Sequence, residues 1–268
     1  MATFSNADFD STRYSGYRPY YTEAVFDLIY EFHSRESKNK FELAIDIATG
    51  TGQVARHLVQ KFDAVHATDA SAKMLESAVQ HPKIQYSVGR AEQLEFEDES
   101  ADLISIAEAI HWVDTKKFFS EVKRVLRPGG TLAVIGYTFC ASPDLPSLHE
   151  IVMKLGNGIL NDYWEPGWLL VDNLYRDIDF ESAFSHVERH TTTALDKKHF
   201  VENEMTLNTF CAFLKTGSAY HNFMKAHPGV ADPADEVVAT IAQKDGVNDW
   251  DKPFMVFFPA VLILASNK

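Results

Sequence analysis

Cationic side chains are in short supply: 25 Lys and Arg stand against 38 Asp and Glu, a formal net charge of −13 over 268 residues. No Lys/Arg-rich run offsets it. A surface of this sign repels phosphate backbones and anionic lipid, so neither nucleic acid nor a membrane is expected as a partner. Cysteine is nearly absent. Cys140 and Cys211 cannot build a disulfide framework or a metal cage, and both read as reduced and buried. Long apolar runs are missing too: "FMVFFPAVLILA" is too short to span a bilayer and Pro259 interrupts it, so it reads as buried strand. The polar, acidic "MATFSNADFDSTRYS" has the pattern of neither a signal nor a transit peptide. The histidines lack metal-ligand spacing, and no metal is expected. What these absences leave is a soluble, cytoplasmic globular protein, monomer or homodimer, long enough to bury about 70–75% of its unfolded surface.

From residue 41 onward, short apolar runs alternate with amphipathic stretches. "FELAIDIA" reads as a strand and "GQVARHLVQKF" as a helix with Val54, Leu58 and Phe62 on one face. "AVHATD" is a second strand, and "SAKMLESAVQH" a helix that Ser71 can cap. "IQYSVGRA", "ADLISIAEA" and "TLAVIGYTF" are further strands; before the last, helix "TKKFFSEVKRVL" is stopped by "RPGG". Such alternation implies parallel pairing through crossover helices, hence a doubly wound α/β fold with a mostly parallel sheet. Beyond residue 140 the pattern turns helical and aromatic. One domain, 1–268, is therefore expected, with N-terminal lid helices at 1–40 and a cofactor-binding core at 41–140. Cap elements at 141–185 and about 205–250 and closing strands at 251–268 complete it.

Ligands of open α/β sheets bind beyond the carboxyl ends of the strands. There the sequence places Gly50-Thr51-Gly52 with Ala55 three residues on, matching the G-x-G-x-x-G/A turn of nucleotide-binding folds. Asp69 follows Gly52 by 17 residues, placed to accept hydrogen bonds from a ribose. These features suit NAD and S-adenosylmethionine equally. Asp46, just before the turn, favours a ligand ammonium over a pyrophosphate. Ala91-Glu92 can frame an adenine edge, and Ala107-Glu108 can close over a nucleoside.

"AIDIATGTGQ", "HATDASAKML", "GRAEQLEF", "ADLISIAEAIHWVD" and "VLRPGGTLAVIGY" occur in the order of class I S-adenosylmethionine-dependent methyltransferases, which this chain resembles over nearly its whole length. "FSNADFDSTRYSGYRPYY", "YWEPG" and "LKTGSAYHNF" are similar to the fungal trans-aconitate methyltransferase group. The resemblance implies a seven-stranded sheet and methyl transfer to a small molecule, onto a carboxylate or hydroxyl oxygen first and a nitrogen second. It puts Arg18, Asp46, Ala48, Gly50, Gly52, Gln53, Asp69, Ala70, Met74, Ala91, Glu92, Ala107 and Glu108 around the cofactor. Arg18 is expected to hold the cofactor's carboxylate, with Tyr14 in the lid. His111 follows the fourth strand, where an imidazole takes a proton from a hydroxyl or amine, or only shapes the pocket. Trp112, Tyr163, Trp164, Trp168 and Tyr220 are expected against the acceptor, because aromatic faces suit a sulfonium.

Three positions depart from the family pattern. Ala48 stands where glycine is usual, and is expected to keep φ below zero, where a Cβ is tolerated. Arg90 replaces an aspartate, leaving Glu92 or a carbonyl for the adenine amino group. Trp168 follows "PG" where the trans-aconitate group carries arginine, removing a planar partner for a substrate carboxylate. Two rival readings stay open: an NAD(P)-dependent oxidoreductase, and a non-catalytic S-adenosylmethionine-binding protein.

Overall fold

The computed structural model describes residues 16–37 and 40–267. Its main element is a seven-stranded sheet. Strands β2 (Leu43–Ile47), β3 (Ala64–Asp69), β4 (Ile84–Val88), β5 (Ala101–Ala107) and β6 (Leu126–Tyr137) run parallel. β10 (Ala260–Ser266) lies antiparallel to β6 on one side and to β7 (His186–Thr192) on the other, giving the order β4-β3-β2-β5-β6-β10-β7. Central strands read "LAIDI" and "ADLISIA" because parallel strands are covered on both faces and need apolar residues at nearly every position. Chain order reverses between β2 and β5, so a crevice forms beyond their carboxyl ends.

Two cores flank the sheet. On one face, helix α1 (Glu23–Ser37) buries Val25, Phe26, Ile29 and Phe32 at helical spacing. The other is built on Phe118, Phe119, Val122 and Val125 of the Thr115–Val125 helix, whose N-terminus Asp114 caps by accepting from Lys117 N at 3.2 Å. The two crossover helices expected earlier in the chain are shorter, at Ala55–Leu58 and Ala72–Glu76. Ser71 makes no side-chain cap, and its backbone N–H donates to Asp69 at 2.8 Å. "RPGG" falls inside β6, where Gly129 takes φ +76 against the backbone of Glu36. Cys140 is buried, but Cys211 is only half-buried.

A second, three-stranded antiparallel sheet was not expected: β1 (Tyr20–Tyr21), β8 (Val201–Met205) and β9 (Phe254–Phe258). Pairing of Tyr20 with Glu202 pins the N-terminal segment to the far end of the chain and brings Arg18 over the strand ends. The cap comprises Leu148–Lys154, a π-helical turn at Leu155–Ile159, the short helix Trp168–Asp172, and helices at Leu207–Leu214, Ser218–Ala226 and Pro233–Asp245. Among the described residues no helix is long and apolar enough to cross a membrane.

Candidate active site

Asp46, the penultimate residue of β2, is 1% exposed. Its oxygens accept from Thr49 Oγ1 at 2.5 Å and Ser105 Oγ at 2.7 Å, so it fastens the turn to β5. Burial pushes its carboxyl up to about 6, against the opposing pull of those hydroxyls. The turn is left-handed three times: Ala48 at φ +53, Gly50 at +58 and Gly52 at +85. The expectation of a negative φ at Ala48 is thus corrected. Thr49 N–H must reach Thr68 O at 2.9 Å while Gly50 N–H reaches Asp69 at 2.9 Å, and the chain swings between these anchors only if residue 48 turns left-handed. A non-glycine residue there costs roughly 1 kcal/mol.

This backbone fits a nucleoside cofactor. A Cβ on Gly52 would stand 2.4 Å from Tyr86 Oη, and Gly50 at φ +58 is strained for any L side chain, so both positions of the turn favour glycine. Asp69 is partly exposed beside it, and desolvation holds its carboxyl above the usual range. Each carboxylate oxygen, after accepting from Gly50 or Ser71, keeps a lone pair for a ribose hydroxyl. Met74 and Ala91 are buried, whereas Gln53 and Ala107 are half-buried and Ala70 is exposed. Glu92 accepts from Asp114 N at 3.3 Å and faces Arg90 at 3.6 Å.

Beyond the ends of β5 and β6 lies a cavity of about 150 Å³. Arg18, Glu108, His111 and Tyr137 line one end; Phe139, Leu155, Leu160, Trp164, Trp168 and Phe213 supply much of the apolar wall. Glu108 is held at φ +50, which carries its carboxyl back to accept from Tyr137 N at 2.6 Å. The side chain expected over the nucleoside is therefore in the cavity wall. Desolvation pushes it up to about 8, although Tyr137 N–H and Arg18 pull the other way. His111 lines the same end, and burial together with Arg18 pushes it down to about 3. Its Nδ1 lies 3.1 Å from the hydroxyl of Tyr175, a fully buried residue at φ +58 whose ring rests on Gly136. Arg18 donates to Tyr137 Oη at 3.1 Å and Thr216 O at 3.4 Å.

The cap aromatics divide. Trp164 and Trp168 stack at 3.9 Å with Phe139 edge-on to both, and Trp164 Nε1 donates to Gly156 O at 2.8 Å. Trp112 and Tyr220 also reach the cavity, Tyr220 donating to Asp232 at 2.7 Å. Tyr163 does not join them. Its hydroxyl is bonded to His227 at 2.5 Å and its ring packs on Phe223, so it ties the cap helices together. Tyr14 lies outside the described residues. Sequence reasoning missed Tyr137, Tyr175 and the apolar wall. Nothing distinguishes those residues from ordinary core except the small neighbours they require: a Cβ on Gly136 would meet Tyr175 at 2.3 Å, and one on Gly156 would meet Phe139 at 2.1 Å. Among the described residues no group of three His, Cys, Asp or Glu can hold a metal ion.

The sheet order, the glycine turn with Asp69, and a cavity beyond the ends of β5 and β6 have the form of a class I nucleoside-binding fold. Comparison with known proteins agrees. Residues 45–134 match the family model of a methyltransferase domain. An uncharacterized methyltransferase of Schizosaccharomyces pombe is 30% identical over 248 residues, covering 91% of this chain and 90% of the relative. A Saccharomyces cerevisiae protein assigned as an S-adenosylmethionine-dependent methyltransferase is 26% identical over 278 residues, covering 95% and 94%. A solved structure from Anaeromyxobacter dehalogenans, assigned as a type II methyltransferase, superposes with a TM-score of 0.76 at 26% identity, covering 93% of this chain and 97% of that one. The chain belongs to the class I S-adenosylmethionine-dependent methyltransferases.

Proposed function

We propose that the protein moves a methyl group from S-adenosylmethionine to an oxygen of a small molecule bound in the cavity. The observation that carries this reading is the cavity itself: about 150 Å³, walled on one side by the cap aromatics, and lying beyond the ends of β5 and β6. When bound, the cofactor supplies an already activated methyl group, so the protein contributes alignment and exclusion of water. Gly50, Gly52 and Asp69 hold the nucleoside side, with Met74, Ala91 and Glu92 toward the base. Asp46 acts by holding the turn, and Arg18 is the cation available to the cofactor's carboxylate. Trp112, Trp164, Trp168 and Tyr220 shape the acceptor space.

The trans-aconitate likeness does not extend to this wall. One guanidinium, Arg18, stands against the carboxyl groups of Glu108 and Glu165, and the rest is largely apolar. A polycarboxylate would leave several charges unpaired there, so we favour an acceptor with one polar end. Incubation with methyl-labelled S-adenosylmethionine and a metabolite extract, followed by mass spectrometry of the labelled product, tests the proposal. Label in a compound below a few hundred daltons is expected. Cofactor binding by calorimetry with no transfer to any small molecule would favour the non-catalytic alternative, and quenching of NAD(P)H fluorescence would favour the oxidoreductase.

A further inference from the structure

Which atom receives the methyl group depends on what the cavity's polar end can do with a proton. The buried Tyr175 hydroxyl has one hydrogen-bond partner among the described residues, His111 Nδ1 at 3.1 Å. If it accepted from that nitrogen, its own proton would be left unsatisfied in the core, at a cost of about 1–3 kcal/mol. Tyr175 therefore donates. Nδ1 then carries the lone pair and Nε2 carries the hydrogen. Nε2 has no protein partner among the described residues and borders the cavity. His111 accordingly presents an N–H donor to the acceptor and offers it no site for a proton.

Glu108 is placed the opposite way. Oε1 is taken by Tyr137 N–H; Oε2 has no partner among the described residues and borders the same cavity end. Its φ of +50 is strained for glutamate, and such strain persists at functional sites because the surroundings enforce it. The other charged or titratable groups lining this cavity are Arg18, Tyr137, Cys140, Glu165 and Tyr220, while Tyr175 packs behind His111. Glu165 is the other carboxylate in this lining, and Glu108 differs from it in being fixed in place by Tyr137 N–H.

We infer that Glu108, not His111, accepts the acceptor's proton, and that the acceptor is a single-ring compound presenting a hydroxyl group to the pair. The inference rests on the methyltransferase reading above. A cavity of about 150 Å³ with apolar walls matches one benzene-sized ring. A hydroxyl oxygen has two lone pairs, one to accept from His111 Nε2 and one to attack; an amine nitrogen has a single pair and cannot do both. A carboxylate is already ionised, has no proton to pass to Glu108, and needs no base. In the step, the acceptor's O–H bond breaks and its proton passes to the ionised Glu108. The oxygen's pair forms the new bond to the methyl carbon, and the carbon–sulfur bond breaks with its electrons remaining on sulfur. Burial and the opposing pull of Arg18 leave Glu108 at about 8, suited to exchanging protons near neutral pH.

Two measurements test this. Nitrogen-15 NMR of the free protein, with His111 assigned by His111→Asn, is expected to show the Nε2–H tautomer at pH 7; the Nδ1–H tautomer would overturn the assignment. Labelled S-adenosylmethionine is then offered with p-cresol, 4-methylbenzoate, 4-methylaniline and 4-nitrophenol. Transfer to p-cresol is expected, falling about a hundredfold or more in Glu108→Gln, with 4-nitrophenol, ionised at pH 8, largely spared. Transfer only to benzoate or aniline, transfer to none of the four, or an unchanged p-cresol rate in the variant would overturn it. Calorimetric binding of S-adenosylmethionine to the wild-type protein separates these outcomes from failure of the methyltransferase reading, in which that binding itself is absent.

Discussion

Replacing Glu108 by glutamine should stabilise the fold, and more so as pH rises. In the unfolded chain the carboxyl titrates near 4.5, in the folded protein near 8. A folded pKa raised above its unfolded value means that the native state binds the proton more tightly. Native stability is then fully present below pH 4.5 and is lost progressively as pH climbs to about 8. At about 1.36 kcal/mol for each pH unit, the loss approaches about 3 kcal/mol at pH 7 and an upper limit of about 5 kcal/mol above pH 8. Water entering the cavity solvates the carboxylate and reduces both figures. The amide keeps the shape of the protonated acid and its carbonyl still accepts from Tyr137 N, but it does not titrate. Urea unfolding of both proteins at pH 5, 7 and 9 supplies the difference directly. The stability of Glu108→Gln minus that of the wild type should grow by at least about 1.5 kcal/mol across this range. A difference independent of pH, or one that shrinks, would refute the placement of this carboxyl in a desolvated site.

Three further substitutions probe the cradle and the cap. Gly52→Ala puts a Cβ 2.4 Å from Tyr86 Oη at φ +85, so affinity for S-adenosylmethionine by calorimetry should fall by about tenfold or more; unchanged affinity would remove this turn from the cofactor site. Ala48→Gly relieves a left-handed alanine at φ +53 but loosens the unfolded chain, and a net gain of up to about 1 kcal/mol is expected by urea unfolding; a clear loss would mean that the strain is not there. Gly167→Ala drives a Cβ to 2.2 Å from His111 O, so kcat should drop while cofactor affinity holds. Equal kcat would show that the cap and the His111 turn move independently.

Much of the fold was legible because its signals are local. The apolar runs of β2, β5 and β6 and the helix with Phe118, Val122 and Val125 declare themselves by burial pattern. So does the glycine turn. The small sheet was hidden because β8 reads "VENEM", polar at its middle three positions, and β1 is two residues long. Its strands exist through pairing across the chain, which no local window contains. The site was legible in part for the same reason. Residues at or just beyond a strand's carboxyl end, such as Asp69, Glu108 and His111, can be placed from the sheet alone. Which way Glu108 points depends on its left-handed backbone and the N–H of Tyr137, 29 residues on. Tyr163 and Trp164 are adjacent in sequence and part company in space: one bonds His227, the other stacks on Trp168. Tyr175 gives no sign of its role, since its hydroxyl meets His111 only once the cap folds onto the sheet.

The central claim is that methyl transfer takes place in the capped cavity. Leu160→Trp, which fills its apolar wall, separates that claim from cofactor binding. The variant's melting temperature checks its fold, calorimetry its S-adenosylmethionine affinity, and labelled methyl counts its transfer to the small-molecule fraction of an extract. A folded variant with wild-type cofactor affinity and transfer reduced by about tenfold or more is expected. Full transfer by that variant, or label found only in protein or nucleic acid for the wild type, would contradict it.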